Sequence, residues 1–255
     1  MEFLTAIHTD VGIKKKTNQD SVLTMKAETE MGDVLFAVVC DGMGGLAKGE
    51  VASATVIREF SKWFENTFPD ILYGGLVEDV LKRSMENVIY SMNSKISSYG
   101  RGLGINLGTT VVALVLANNK YYCINVGDSR CYHIAHEFGQ MTKDQTYVQR
   151  EMDMGRMTLE EAKTHPQRNV LLQCVGASEF IVPDFYTGDV NPNELFMLCS
   201  DGYRHVITKE EFYQYINPNS LQDETQMKES IKYFTELNKY RREEDNISVV
   251  LVRTK

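Results

Sequence analysis

The chain has 255 residues and a formal net charge of -8, with an isoelectric point near 5.2. That balance argues against nucleic acid or an anionic membrane as the main partner. Hydrophobic residues make up 43% and charged residues 24%, the composition of a globular chain with a sizeable core.

The N-terminus, Met1 to His8, lacks a basic segment followed by an apolar one, so no signal peptide is expected. No apolar run approaches the roughly 18 residues of a membrane span. Short strands are predicted at 3–8 and 21–25. Between them lie Thr9-Asp10-Val11-Gly12, the basic run Lys14-Lys15-Lys16, and Asn18-Gln19-Asp20. A charge run is usually a solvated loop, but this one precedes an acidic residue and also suits anion binding. Val34 to Cys40 is an uninterrupted apolar run with the β-branched content of a buried strand, and it breaks into Asp41-Gly42-Met43-Gly44-Gly45. Alone, Asp41-Gly42 is equally a hairpin turn.

A helix is predicted near 49–66, with Val56, Ile57, Phe60, Trp63 and Phe64 at helical spacing. A second covers about 76–99 and is expected to stop at Gly100, followed by a flexible loop containing Gly102, Gly104 and Gly108. Strands follow at about 109–117, 120–127 and 130–135. No helix separates them, so they are expected to be antiparallel neighbours. Helices at 145–154 and 158–164 split at Gly155, and polar residues 165–169 complete a segment suited to a flap. Strands are predicted at 170–175, 184–190 and 195–200. Thr208 with Glu211 caps a helix to about 216, and Ser220 with Asp223 caps another to about 238. The last strand is 246–252.

The cysteines Cys40, Cys123, Cys131, Cys174 and Cys199 are scattered and form no C-x-x-C. They read as buried thiols in a reducing cytoplasm, not as disulfides or zinc ligands. The informative pattern is acidic. Asp20, Asp41, Asp128, Asp201 and Asp245 each stand at the end of a strand-like run, far apart in the chain. Gathering like charges needs cations between them, and an all-oxygen donor set selects Mg²⁺ or Mn²⁺ over zinc. Hairpin-linked strands with two groups of paired helices read as an α+β layered domain. No linker or repeat divides it, so 1–255 is expected to be one domain.

The ordered set Thr9-Asp10-Val11-Gly12 with Asn18-Gln19-Asp20, Asp41-Gly42-Met43-Gly44-Gly45, Gly108-Thr109-Thr110, Gly127-Asp128-Ser129-Arg130, Ser200-Asp201-Gly202 and Asp245-Asn246 resembles the bacterial metal-dependent serine/threonine phosphatases of type 2C, the PPM family. The resemblance covers nearly the whole chain. It implies a four-layer α-β-β-α sandwich of two antiparallel sheets flanked by helix pairs. It also implies two Mn²⁺ or Mg²⁺ ions, or three, and a water attacking phosphoserine or phosphothreonine without a phosphoenzyme. By the same resemblance Asp41 bridges the ions and the Gly42 carbonyl is a ligand. Asp201 and Asp245 complete the first ion, and Asp128 with Asp201 matches a third, weaker site. Asp20 would orient water from the outer shell, and residues 145–169 match the family's flap.

Two positions depart from the family. Lys15 stands where an arginine usually grips the phosphate, and offers a point charge instead of a fork. Met43 stands where many eukaryotic members carry a histidine and cannot donate a proton. The implied partners are phosphorylated proteins and a serine/threonine kinase with its substrates, for a cytoplasmic monomer in signalling. The alternatives are a catalytically weak or inactive binding module on this fold, and a two-metal hydrolase of small phosphate esters.

Overall fold

A computed structural model of the chain describes residues 1–44 and 48–255. Gly45, the last glycine of the motif after Asp41, lies outside the described residues. The first strands are β1 (Phe3–Asp10), β2 (Ser21–Ala27), β3 (Val34–Cys40) and the short β4 (Gly42–Gly44). Helices α1 (Gly49–Asn66), α2 (Phe68–Tyr73) and α3 (Glu78–Leu103) follow. Then come β5 (Leu107–Thr109), β6 (Val111–Ala117), β7 (Lys120–Val126), β8 (Arg130–Ile134) and β9 (Phe138–Gln140). The rest comprises α4 (Tyr147–Asp153), α5 (Leu159–Thr164), β10 (Asp184–Asp189), β11 (Leu195–Cys199), α6 (Asp201–Arg204), α7 (Lys209–Tyr215), α8 (Glu224–Tyr240) and β12 (Ile247–Thr254).

One antiparallel sheet has the order β1-β12-β11-β8-β9 and the other β10-β7-β6-β3-β2, with β4-β5 as a small third pair. Period-two alternation sorts the apolar strand residues into three layers. From β3, Val34, Phe36, Val38 and Cys40 pack under α1 and α3, while Leu35, Ala37 and Val39 fill the space between the sheets. From β11, Met197 and Cys199 face α7 and α8, while Phe196 and Leu198 meet the other sheet. Strands covered on both faces explain why these runs read as continuously apolar. Phe36 anchors the first layer, its ring 5.4 to 5.6 Å from those of Phe60, Trp63 and Phe64. Its burial contributes about 1.5–3 kcal/mol. The α+β sandwich expected from the sequence is what the chain forms.

Several local expectations are corrected. Helix α3 runs through Gly100 and ends at Gly104, φ +66°. Gly100 answers a packing need instead: a Cβ there would stand 2.7 Å from the Ile105 carbonyl and 2.8 Å from Leu107 as the chain folds back. Strand β8 does not lie beside β7. It crosses at Gly127-Asp128-Ser129 into the other sheet and pairs with β11 and β9. Residues 170–175 form no strand; Leu171 bridges Thr146 and Val175 bridges Thr109, so the segment serves two partners in turn. The N-cap of α8 is Asp223, whose carboxylate accepts from the Gln226 N–H, and Ser220 instead pairs with Asn217. The capping boxes at Thr158–Glu161 and Thr208–Glu211 form as their spacing requires.

Candidate metal centre

Strand register brings the five aspartates to one rim of the sandwich. Ser21 lies opposite Cys40, which sets Asp20 beside Asp41 at the end of β2 and β3. In the other sheet Cys199 lies opposite both Arg130 and Val249, so Asp128, Asp201 and Asp245 leave the same end. Side chains stitch the two rims together. Ser200 Oγ, in one sheet's rim, donates to Asp20 Oδ2 at 2.9 Å in the other's, and accepts from the Ser248 N–H at 3.1 Å. The Gln19 N–H donates to Asn246 Oδ1 at 2.9 Å, and Asn246 Nδ2 donates to the Val11 carbonyl at 2.9 Å.

Thr110 fixes the backbone of Asp41. Its N–H donates to the Asp41 carbonyl at 2.9 Å, and the Asp41 N–H donates to Thr110 Oγ1 at 3.0 Å. Gly42 then enters β4 with its N–H on the Gln19 carbonyl. A Cβ at Gly42 would stand 2.3 Å from the Gly49 carbonyl oxygen and 2.4 Å from that of Gln19, so only glycine passes here. Met43 lies opposite Gly108 in the β4–β5 pair. Asp10 has a supporting role: one carboxylate oxygen takes the Gly12 N–H and the other the Lys239 ammonium.

The electrostatics record crowding. Burial, followed by the neighbouring carboxylates of Asp20, Asp201, Asp128 and Asp245, pushes Asp41 well above the usual carboxylate range. Burial pushes Asp20 up to about 7, against hydrogen bonds from Ser248 and Ser200, with Asp201 and Asp245 adding to the rise. Asp128 is likewise pushed up to about 7, by burial and then by Asp201. Asp201 is raised, chiefly by burial, although Arg204 opposes the shift. Lys15 places its ammonium 2.9 Å from Asp245 Oδ1. Burial lowers the Lys15 pKa, but its bond to Asp245 and the fields of Asp41 and Asp201 outweigh that and leave it raised.

Such a cluster fits hard cations. The donors are all oxygen, and Asp201 Oδ1 is buried with no hydrogen-bond partner. Among the described residues no three acidic, histidine or cysteine side chains already close on a single point. The cysteines are all free and buried, and burial pushes Cys199 to about 12 and Cys40 well above the usual thiol range, which removes them as nucleophiles. Sequence reasoning missed Ser200 as the tie to Asp20, Thr110 as the clamp on Asp41, and the charged network of Arg130, Asp144 and Arg204 beside Asp128. Ser200 immediately precedes Asp201-Gly202 in the motif, whereas Arg204 and Asp144 carry no signal in the sequence.

Comparison with known proteins identifies the family. A family model described as Protein phosphatase 2C matches residues 12–251. The serine/threonine phosphatase stp of Listeria monocytogenes serotype 4b is 30% identical over 221 residues, covering 85% of this chain and 83% of that protein. The structure of the Streptococcus agalactiae serine/threonine phosphatase superposes with a TM-score of 0.86 at 26% identity, covering 100% of both chains. The catalytic domain of the serine/threonine phosphatase PstP, solved in complex with 2 manganese ions, gives a TM-score of 0.79 at 26% identity over 98% of this chain and 97% of that one. By sequence and by fold, the chain belongs to the protein phosphatase 2C family.

Proposed function

We propose that this phosphatase hydrolyses phosphoserine and phosphothreonine in proteins at a dinuclear Mn²⁺ or Mg²⁺ centre, without a phosphoenzyme. The observation that carries the reading is the shared rim: Asp41 from one sheet faces Asp201 and Asp245 from the other, with the orphaned Asp201 Oδ1 among them. Asp41, the Gly42 carbonyl, Asp201 and Asp245 are the groups that would hold the ions. Bound ions would supply an acidified water and positive charge for the phosphoryl oxygens.

The chain's own residues do the rest. Asp20, held by Ser200, is placed to take up or pass a proton from outside the ligand set. Lys15 reaches the same rim and is the cation available to equatorial phosphate oxygens once Asp245 engages an ion. The flap, α4 and α5, borders the cleft beside Asp128 and would contact the protein carrying the phosphate. The PstP complex with manganese supports the choice of ion. A serine/threonine kinase and its substrates are the fitting partners, and among the described residues no helix is long and apolar enough to cross a membrane. The test is turnover of phosphopeptides against free phosphorylated metabolites, with Mn²⁺ and with chelator. Metal-dependent release from phosphoserine and phosphothreonine peptides is expected; equal rates with chelator would defeat the reading.

A further inference from the structure

Asp128 already has a cation. The side chains of Asp128 and Arg204 are 13% and 12% exposed, and Arg204 Nη2 donates to the Asp128 carbonyl at 2.8 Å while standing 3.7 Å from Asp128 Oδ2. We propose that the guanidinium of Arg204 takes the place of a third metal ion beside Asp128, so that the chain loads two ions and not three. The inference rests on the dinuclear reading above.

The surrounding charges leave Arg204 to this task. Asp144 is 3.5 Å from Arg204 Nη2, but its two oxygens are gripped by the Arg130 fork, Nε to Oδ1 and Nη2 to Oδ2, both at 2.7 Å. Arg204 is thus shared: Arg130 already grips Asp144 as a fork, and the Arg204 guanidinium stands nearly as close to Asp128 as to Asp144. Asp201 and Arg204 stand at i and i+3 on α6, so the single turn that presents Asp201 to the rim also aims the guanidinium over it.

Space is not what excludes an ion. A cleft of about 550 Å³ opens beside Asp128, Asp144, Asp201 and Arg204, with room for a hydrated cation. Charge excludes it. A divalent ion on Asp128 Oδ2 would sit against a guanidinium that cannot deprotonate. A magnesium-sized ion would also keep several waters, which compete for the acceptor that Arg204 now satisfies, the Asp128 carbonyl.

The experiment counts Mn²⁺ bound to the metal-stripped chain by equilibrium dialysis up to millimolar Mn²⁺. Wild type, Asp128→Asn and Arg204→Lys should each bind about two ions per chain. Arg204→Gln should gain a further, weaker site, and the double variant Arg204→Gln with Asp128→Asn should lose it again. A third ion in wild type that disappears in Asp128→Asn overturns the inference while leaving the dinuclear reading intact. Failure of wild type to bind any Mn²⁺ removes both. Where Arg204→Gln fails to fold by circular dichroism, the comparison of wild type with Asp128→Asn decides the matter alone.

Discussion

Lys15 Nζ and Asp245 Oδ1 lie 2.9 Å apart, an ion pair between the loop after β1 and the residue that enters β12. The same carboxylate is a candidate metal ligand, so ammonium and metal compete for it. Both side chains are about two-fifths exposed, 41% and 38%, so the pair is worth at most about 1 kcal/mol. Lys15→Ala is therefore expected to lower the Mn²⁺ concentration needed for half-maximal activity, by up to about fivefold. It should also raise KM for phosphopeptide with a modest fall in kcat. An unchanged KM would clear Lys15 of any contact with phosphate.

Asp201→Asn removes a charge at the rim while keeping its shape. A loss of at least about a hundredfold in phosphopeptide turnover is expected, with circular dichroism unchanged. Full activity in this variant would overturn the assignment of the centre.

Ser200→Ala strips Asp20 of one hydrogen bond and leaves the buried Ser248 N–H without its acceptor. An unmade bond of this kind costs about 1–3 kcal/mol. Urea denaturation should show a lower midpoint with an unchanged slope; an identical midpoint would mean the tie contributes nothing.

At Gly42 the backbones of Gln19 and Gly49 leave no room for a side chain. Gly42→Ala is expected to lose about 1–3 kcal/mol or more and to weaken Mn²⁺ binding, because Asp41 must shift with it. Calorimetry of folding and of Mn²⁺ titration on one sample would separate the two effects.

The Arg241 fork, with the Thr208 N–H, holds the Glu211 carboxyl down at about 2 against an ordinary 4.5. A depressed acid stabilises the fold above its unfolded pKa, and that contribution disappears as pH falls through the folded value. Thermal midpoints of wild type and Glu211→Gln should thus differ near neutral pH and converge as pH drops from 4.5 toward 2. With both side chains a third exposed, the difference should stay at or below about 1 kcal/mol.

The sequence made the rim legible because its carboxylates follow or precede strands buried on both faces. A run such as Val34 to Cys40 has one reading, and the polar residue at its end is where the chain meets solvent or a ligand. Local chemistry also read well: Thr208 and Glu211 form the capping box that their spacing predicts. What failed depended on distant partners. Nothing between Val126 and Arg130 announces that β8 joins the other sheet, since alternation assigns faces and not neighbours. Gly100 looked like a stop because its real constraint, the returning chain at Ile105, is a matter of packing. Arg204 was visible as a letter beside Asp201, but its burial against Asp128 appears only when β8 and β11 are set side by side.

Asp20 and Asp41 belong to one sheet, Asp201 and Asp245 to the other. Anything that grasps both groups becomes a rivet through the sandwich at its working end. Chelation should loosen that end first, raising amide exchange near Gln19 and Asn246 while the opposite end, around Asn118 and Asn193, stays shut.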